Sequence, residues 1–212
     1  IHSESAVSLI AACIALGLVV GFVAGLLGVG GGLIIVPVLI ALFQIYAIGA
    51  GIEPHLALGT SLASILFTSI SSMRTHHCHG AVEWILVRRI APGIIGGTLL
   101  GAVLAARMSP HVLTLFFILF LFYAATQMWL DFKPRPHRNL PGPVGTTFAG
   151  GVIGAVSSWV GIGGGTLSVP FMLWHNVPLH RAIATSSAIG FPIAIAGAFG
   201  YTLSGLGSAR LP

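Results

Sequence analysis

Residues 28–37 read GVGGGLIIVP, and residues 161–170 read GIGGGTLSVP. One pattern is written twice, with three consecutive glycines and a proline at the same distance. Each copy interrupts a strongly apolar run. Glycine weakens a helix and an internal proline removes a backbone donor, so an unbroken membrane helix needs neither. Irregular backbone at membrane depth is tolerated only where protein buries it or a wet cavity meets it. The two stretches are therefore expected to be paired breaks that floor a solute pathway.

The remaining composition supplies the membrane. Of 212 residues, 56% are hydrophobic and 6% charged, with a mean hydropathy of +1.01. A soluble domain carries about 25% charged residues. No charge lies between Glu4 and Glu53, between Arg107 and Asp131, or between Arg138 and Arg181. A span needs about 20 apolar residues, and each gap holds at least one. The expected fold class is all-α: a multi-pass helical membrane protein with glycine-interrupted helices.

Charge and cysteine usage exclude other classes. The net charge of +5 comes from basic residues at the ends of apolar runs, which is a topology signal rather than a nucleic-acid signal. Cys13 and Cys78 make no disulfide framework. The four acidic residues, Glu4, Glu53, Glu83 and Asp131, all lie at segment ends. No carboxylate is available for catalysis at membrane depth, so an enzyme is not expected, and no cofactor is implied. The glycine stretches lack the Gly-Lys-Ser/Thr of a phosphate loop, and Leu33 and Thr166 break the dinucleotide spacing.

The repetition extends beyond the glycines. Gly17, Gly21 and Gly25 precede the first stretch at four-residue spacing, and Gly150, Gly154 and Ser158 precede the second at the same offset. Such small-residue faces let helices approach closely. Downstream, His55-Leu-Ala-Leu-Gly-Thr60-Ser61 pairs with His180-Arg-Ala-Ile-Ala-Thr185-Ser186. Residues 1–132 form an expected first repeat, 133–143 a basic proline-rich linker, and 144–212 a second repeat. Nothing after Thr202 matches residues 81–130, so the second repeat is expected to be incomplete and the chain truncated at its C-terminal end. A polar loop is expected at 74–79, a helix from about Arg88 to Ala106, and a plain lipid-facing span at 111–130. The Arg74, Arg88, Arg89 and Lys133, Arg135, Arg138 groups place both their loops in the cytoplasm and Arg107 on the other side.

Repeat interfaces are where transporters place solute sites. Candidate solute-binding residues are Gly28, Gly30, Gly31, Gly32 and Pro37, with Gly161, Gly163, Gly164, Gly165 and Pro170. Glycine-rich backbone ahead of a helix start presents N–H groups and a positive dipole end to an anion. Thr60, Ser61, Thr185 and Ser186 add hydroxyls; the plainer role for each is a bond to its own helix backbone. His55 and His180 open the two Thr-Ser segments and are candidates for proton coupling, against the simpler role of interfacial helix-start residues. His76, His77, Cys78 and His79 have no second ligand set, so no metal site is expected.

On these motifs, with His79-Gly-Ala-Val-Glu83-Trp84 ahead of Pro92-Gly93, the chain resembles the TauE/SafE family of sulfite and organosulfur anion transporters. The resemblance implies two four-helix repeats, of which this chain supplies roughly six spans by length. It implies a secondary transporter in the bacterial inner membrane, with a small anionic solute and the bilayer as partners. Sulfite, thiosulfate and sulfonates are the implied solutes. Association with further copies of itself stays open, as does the alternative of an anion channel or a structural subunit of a larger complex.

Overall fold

The computed structural model describes residues 13–15, 17–22, 31–49, 51–130 and 140–206. Gly25, Gly28, Gly30 and the linker residues 131–139 lie outside the described residues. Everything regular among the described residues is helical. After a helical stretch within 13–22 come α1 (Gly32–Ile45), α2 (Glu53–Cys78), α3 (Trp84–Arg107), α4 (Pro110–Trp129), α5 (Pro143–Val160), α6 (Gly165–Trp174) and α7 (Leu179–Leu206). Four of these, α2, α3, α4 and α7, are long and apolar enough to cross a membrane. The chain is a multi-pass integral membrane protein.

The helix lengths follow from the sequence punctuation. At 1.5 Å per residue, the 14 residues of α1 reach about 21 Å and the 10 residues of α6 about 15 Å, short of a 30 Å hydrocarbon core. Both start at a glycine cluster and carry a proline inside, Pro37 and Pro170. At the other extreme, α2 runs through the stretch expected to be a polar loop and ends only at Cys78. No glycine or proline intervenes before Gly80, whose φ of +64° lets the chain turn, so His76 and His77 form the last polar turn of the helix.

Small residues set the directions. Gly150 rests on the Ile90 carbonyl and Gly154 on that of Ile94, so α3 and α5 run parallel with backbones in contact. A Cβ on Gly93 or Gly97 would overlap the α5 backbone at Thr147 and Gly151. Across the bundle, α2 and α7 are antiparallel: Gly59 meets Tyr201, Leu62 meets Gly197, and Ser72 meets Ser187. Thr146, near the start of α5, and His175, just past the end of α6, line one cavity. The α5–α6 segment therefore enters and leaves at the same end of the bundle as a re-entrant hairpin.

The core joins these pieces. Leu58, Leu62, Ile90, Ile94, Ile162, Ile189 and Ile193 are fully buried at the centre. Helix α4 presents Leu119, Phe122, Tyr123 and Trp129 outward, as a lipid-facing span should.

Candidate functional site

The second glycine break is built by two left-handed glycines. Helix α5 ends at Val160, and Gly161 takes φ +69° as its cap, with its N–H bonded to the Ser157 carbonyl at 2.9 Å. Gly164 takes φ +79° and opens α6, its carbonyl accepting from Ser168 N–H at 2.8 Å. Both conformations suit glycine and strain any residue with a Cβ. The first N–H groups of α6 then face the break, as at every helix start.

The two breaks meet in direct contact. A Cβ on Gly32 would overlap the Gly161 carbonyl oxygen and press on Ile162. The expectation was that Gly31 and Gly164 lie near one another close to mid-membrane, facing Thr60-Ser61 and Thr185-Ser186 across a cavity. The observed contact runs instead through Gly32 and Gly161, and the backbones close on each other because neither residue has a side chain. Gly163 lies beside Ile65 of α2 and Gly190 of α7, well inside both long helices. Among the described residues, Gly31 has only the Ile35 side chain within the reach of a Cβ.

The four Thr-Ser hydroxyls fall into different surroundings. Ser61 is fully buried and donates to the Gly161 carbonyl at 2.8 Å, tying α2 to the second break. Ser186 accepts from Ser168 of α6 at 3.1 Å and lies against Gly165. Thr185 is fully buried, and its Oγ1 accepts the backbone N–H of Glu83 at 3.0 Å. Thr60 is exposed to a cavity of ≈ 360 Å³ that His55, Tyr201 and Thr202 also line. Only Ser61 and Ser186 therefore reach the second break.

The histidines also divide. His55 Nε2 donates to the Ala105 carbonyl at 2.9 Å, so Nδ1 is the acceptor nitrogen, and Nδ1 is buried without a partner. His180 is exposed at the start of α7. The cluster near the end of α2 is used structurally. His77 accepts from Trp84 Nε1 at 3.1 Å and meets its ring edge-on, and His79 Nδ1 donates to Thr75. Among the described residues no group of three potential ligands is placed to hold a metal.

Three hydroxyls escaped the sequence reading. Ser157 Oγ and Thr166 Oγ1 are buried beside the second break with no hydrogen-bond partner, and Ser168 joins Ser186 there. Pro170 lies inside α6, where it removes one helical N–H donor. The second break thus gathers helix-start N–H groups and two unused hydroxyls in an apolar core. That arrangement can receive a small polar solute and supply both donors and acceptors to it.

Comparison with known proteins agrees with this reading of the class. The family model described as "Sulfite exporter TauE/SafE" matches residues 13–211. The chain is 35% identical over 201 residues to a "Probable membrane transporter protein" of Haemophilus influenzae, covering 94% of this chain and 76% of that one. It is 30% identical over 213 residues to the "Probable membrane transporter protein YunE" of Bacillus subtilis, covering 91% and 78%. No solved structure matches the chain. The likeness points to a membrane transporter rather than to an enzyme.

Proposed function

The chain belongs to the TauE/SafE family of membrane transporters, and on that premise we propose a secondary carrier for small, sulfur-containing anions. The solutes in view are sulfite, thiosulfate and sulfonates, and the membrane is the bacterial inner membrane. Transport proceeds by alternating access between two repeats, 1–132 and 144–212. The family description supports the solute class. The observation that carries the site is the meeting of the glycine breaks at Gly32 and Gly161, with Ser61, Ser157, Thr166 and Ser186 around the second break. Such a site offers an oxyanion backbone N–H groups and hydroxyl donors away from water, where each hydrogen bond is strengthened.

An inverted pairing of the repeats is supported by the contacts of α2 and α7. The 125-residue shift that lays His55 on His180 carries Leu62 to Ser187 and Ser72 to Gly197. Leu62 touches Gly197 and Ser72 touches Ser187, so each contact is the image of the other. Antiparallel helices related in this way have an axis in the membrane plane, the arrangement on which rocking carriers are built. Arg74, Arg88, Arg89 and Arg181 gather at the end where α3, α5 and α7 begin, which the positive-inside rule makes cytoplasmic.

The test is flux of sulfite, thiosulfate and taurine in vesicles holding the full-length protein. A carrier gives saturable, gradient-driven flux. Steady anion current without a coupling gradient would favour a channel, and no flux of any of them with inserted protein would remove the transport reading.

A further inference from the structure

At the arginine-rich end, the first two turns of α7 grip the connection between α2 and α3. Arg181 and Thr185 are four residues apart, so they share one helix face. Thr185 takes the backbone N–H of Glu83, and Arg181 Nη1 pairs with Glu83 Oε1. The two charged side chains are 48% and 36% exposed, so solvent reaches the pair while Thr185 beneath it is sealed. Glu83 also walls a cavity of ≈ 290 Å³ shared with Arg89, Thr146 and His175. Glu83 thus stands between two arginines: it shares the wall of a cavity large enough for a small oxyanion with Arg89, and its carboxylate pairs with Arg181, which lies outside that wall. The same residue holds closed the hydroxyl behind it.

At the opposite end the repeat places a leucine where Arg181 stands. The 125-residue shift carries Thr185 to Thr60 and Arg181 to Leu56. Thr60 lines the cavity at that end.

We propose that Glu83 is a built-in stand-in for the transported anion, and that a small oxyanion arriving in the Arg89 cavity displaces it from Arg181. Guanidinium forks bind carboxylates and sulfur or phosphorus oxyanions through the same N–H geometry, so one can replace the other. An exposed ion pair contributes little to stability, which keeps the exchange reversible. Displacement frees the Val82–Glu83 backbone from Thr185 and opens the path toward the glycine breaks from this end. Arg181 is thereby an anion-recognition residue and Glu83 its competitor. The proposal rests on the anion-transport reading and adds how the solute opens its own gate.

The test has two arms on the full chain. In the first, with Thr185 intact, hydrogen exchange of the residue-83 amide that Thr185 accepts is followed by mass spectrometry in detergent, without solute. Glu83→Gln should raise that exchange rate by a factor of about five, the upper end of what losing an exposed ion pair gives. Equal rates with and without Glu83 overturn the latch. The second arm titrates thiosulfate and sulfite, followed by tryptophan fluorescence, with Thr185 intact. Glu83→Gln should tighten binding and Arg181→Gln weaken it, each by about tenfold, with Arg181→Lys between. A purely structural ion pair moves both variants the same way. That result, with flux retained in vesicles, overturns the exchange and leaves the transport reading standing. No binding and no flux overturn both.

Discussion

Ser61 of α2 donates its hydroxyl to the carbonyl oxygen of Gly161, one hundred residues away, and both are buried. This bond joins the Thr-Ser segment of one half to the glycine break of the other. Gly161 is held left-handed, so its carbonyl leaves the α5 ladder and needs a donor from elsewhere. Ser61→Ala should lower stability by about 1 kcal/mol, because it strands a buried acceptor. Thermal unfolding in detergent measures it. Thr60→Ala, one residue away but exposed, is the control and should unfold at the parent temperature.

The glycines of the first break should differ sharply although they are adjacent. Gly32→Ala drives a methyl group into the Gly161 backbone, which is not a flexible side-chain tip and cannot step aside. Overpacking of this kind costs about 1–3 kcal/mol. Gly31→Ala meets only the Ile35 Cδ1 methyl at 3.1 Å, which a rotamer adjustment relieves. Expression level and melting temperature should fall for the first and change little for the second. Equal losses would show that the two breaks do not close on each other through Gly32.

How much of this was readable beforehand depends on what repetition can carry. Gly161, Gly164 and Ser61 were legible because the chain writes them twice, and two copies of a helix-breaking pattern in an apolar run need a reason. Ser157, Thr166 and Ser168 were not legible. The 133-residue shift carries them to Ala24, Leu33 and Ile35, so the comparison of halves discards them. Their importance arises only when α5 and α6 fold back and leave Ser157 and Thr166 without partners. The end of α2 was misread for a different reason. Arg74 to His79 looked like a loop by polarity, but a helix leaving the bilayer can remain helical in water until Gly80 turns it. The Thr185 contact with Glu83 joins residues 102 apart, and no local pattern encodes it.

Of the two histidines that are candidates for proton coupling, His55 is the one beside a cavity. Its Nε2–H is committed to the Ala105 carbonyl, and Nδ1 is buried without a partner beside the cavity that Thr60 lines. His55→Gln keeps an amide donor for Ala105 but cannot titrate. In vesicles with an imposed pH gradient, thiosulfate flux should lose its dependence on the gradient in this variant while binding persists. His180→Gln, at an exposed position, should leave the dependence intact. Gradient-driven flux in His55→Gln would remove His55 from the coupling.

The unpartnered hydroxyls at the second break separate function from stability. A buried polar group without a partner costs free energy in the empty protein, so removing it should not destabilise the fold. Ser157→Ala and Thr166→Val each delete such a hydroxyl, and Thr166→Val keeps the volume. Melting temperatures in the absence of solute should hold or rise, equivalent to a gain of up to about 1 kcal/mol per site. Solute binding should weaken about tenfold in each, because a hydroxyl that was waiting for the anion is gone. The opposite signs matter. A hydroxyl serving only helix packing would lose stability on deletion and leave the affinity unchanged. Thiosulfate titration beside thermal unfolding of the same preparations reads both quantities. If both variants bind as the parent does, the solute passes the second break without touching Ser157 or Thr166, and the site must be sought nearer Ser61 and Ser186.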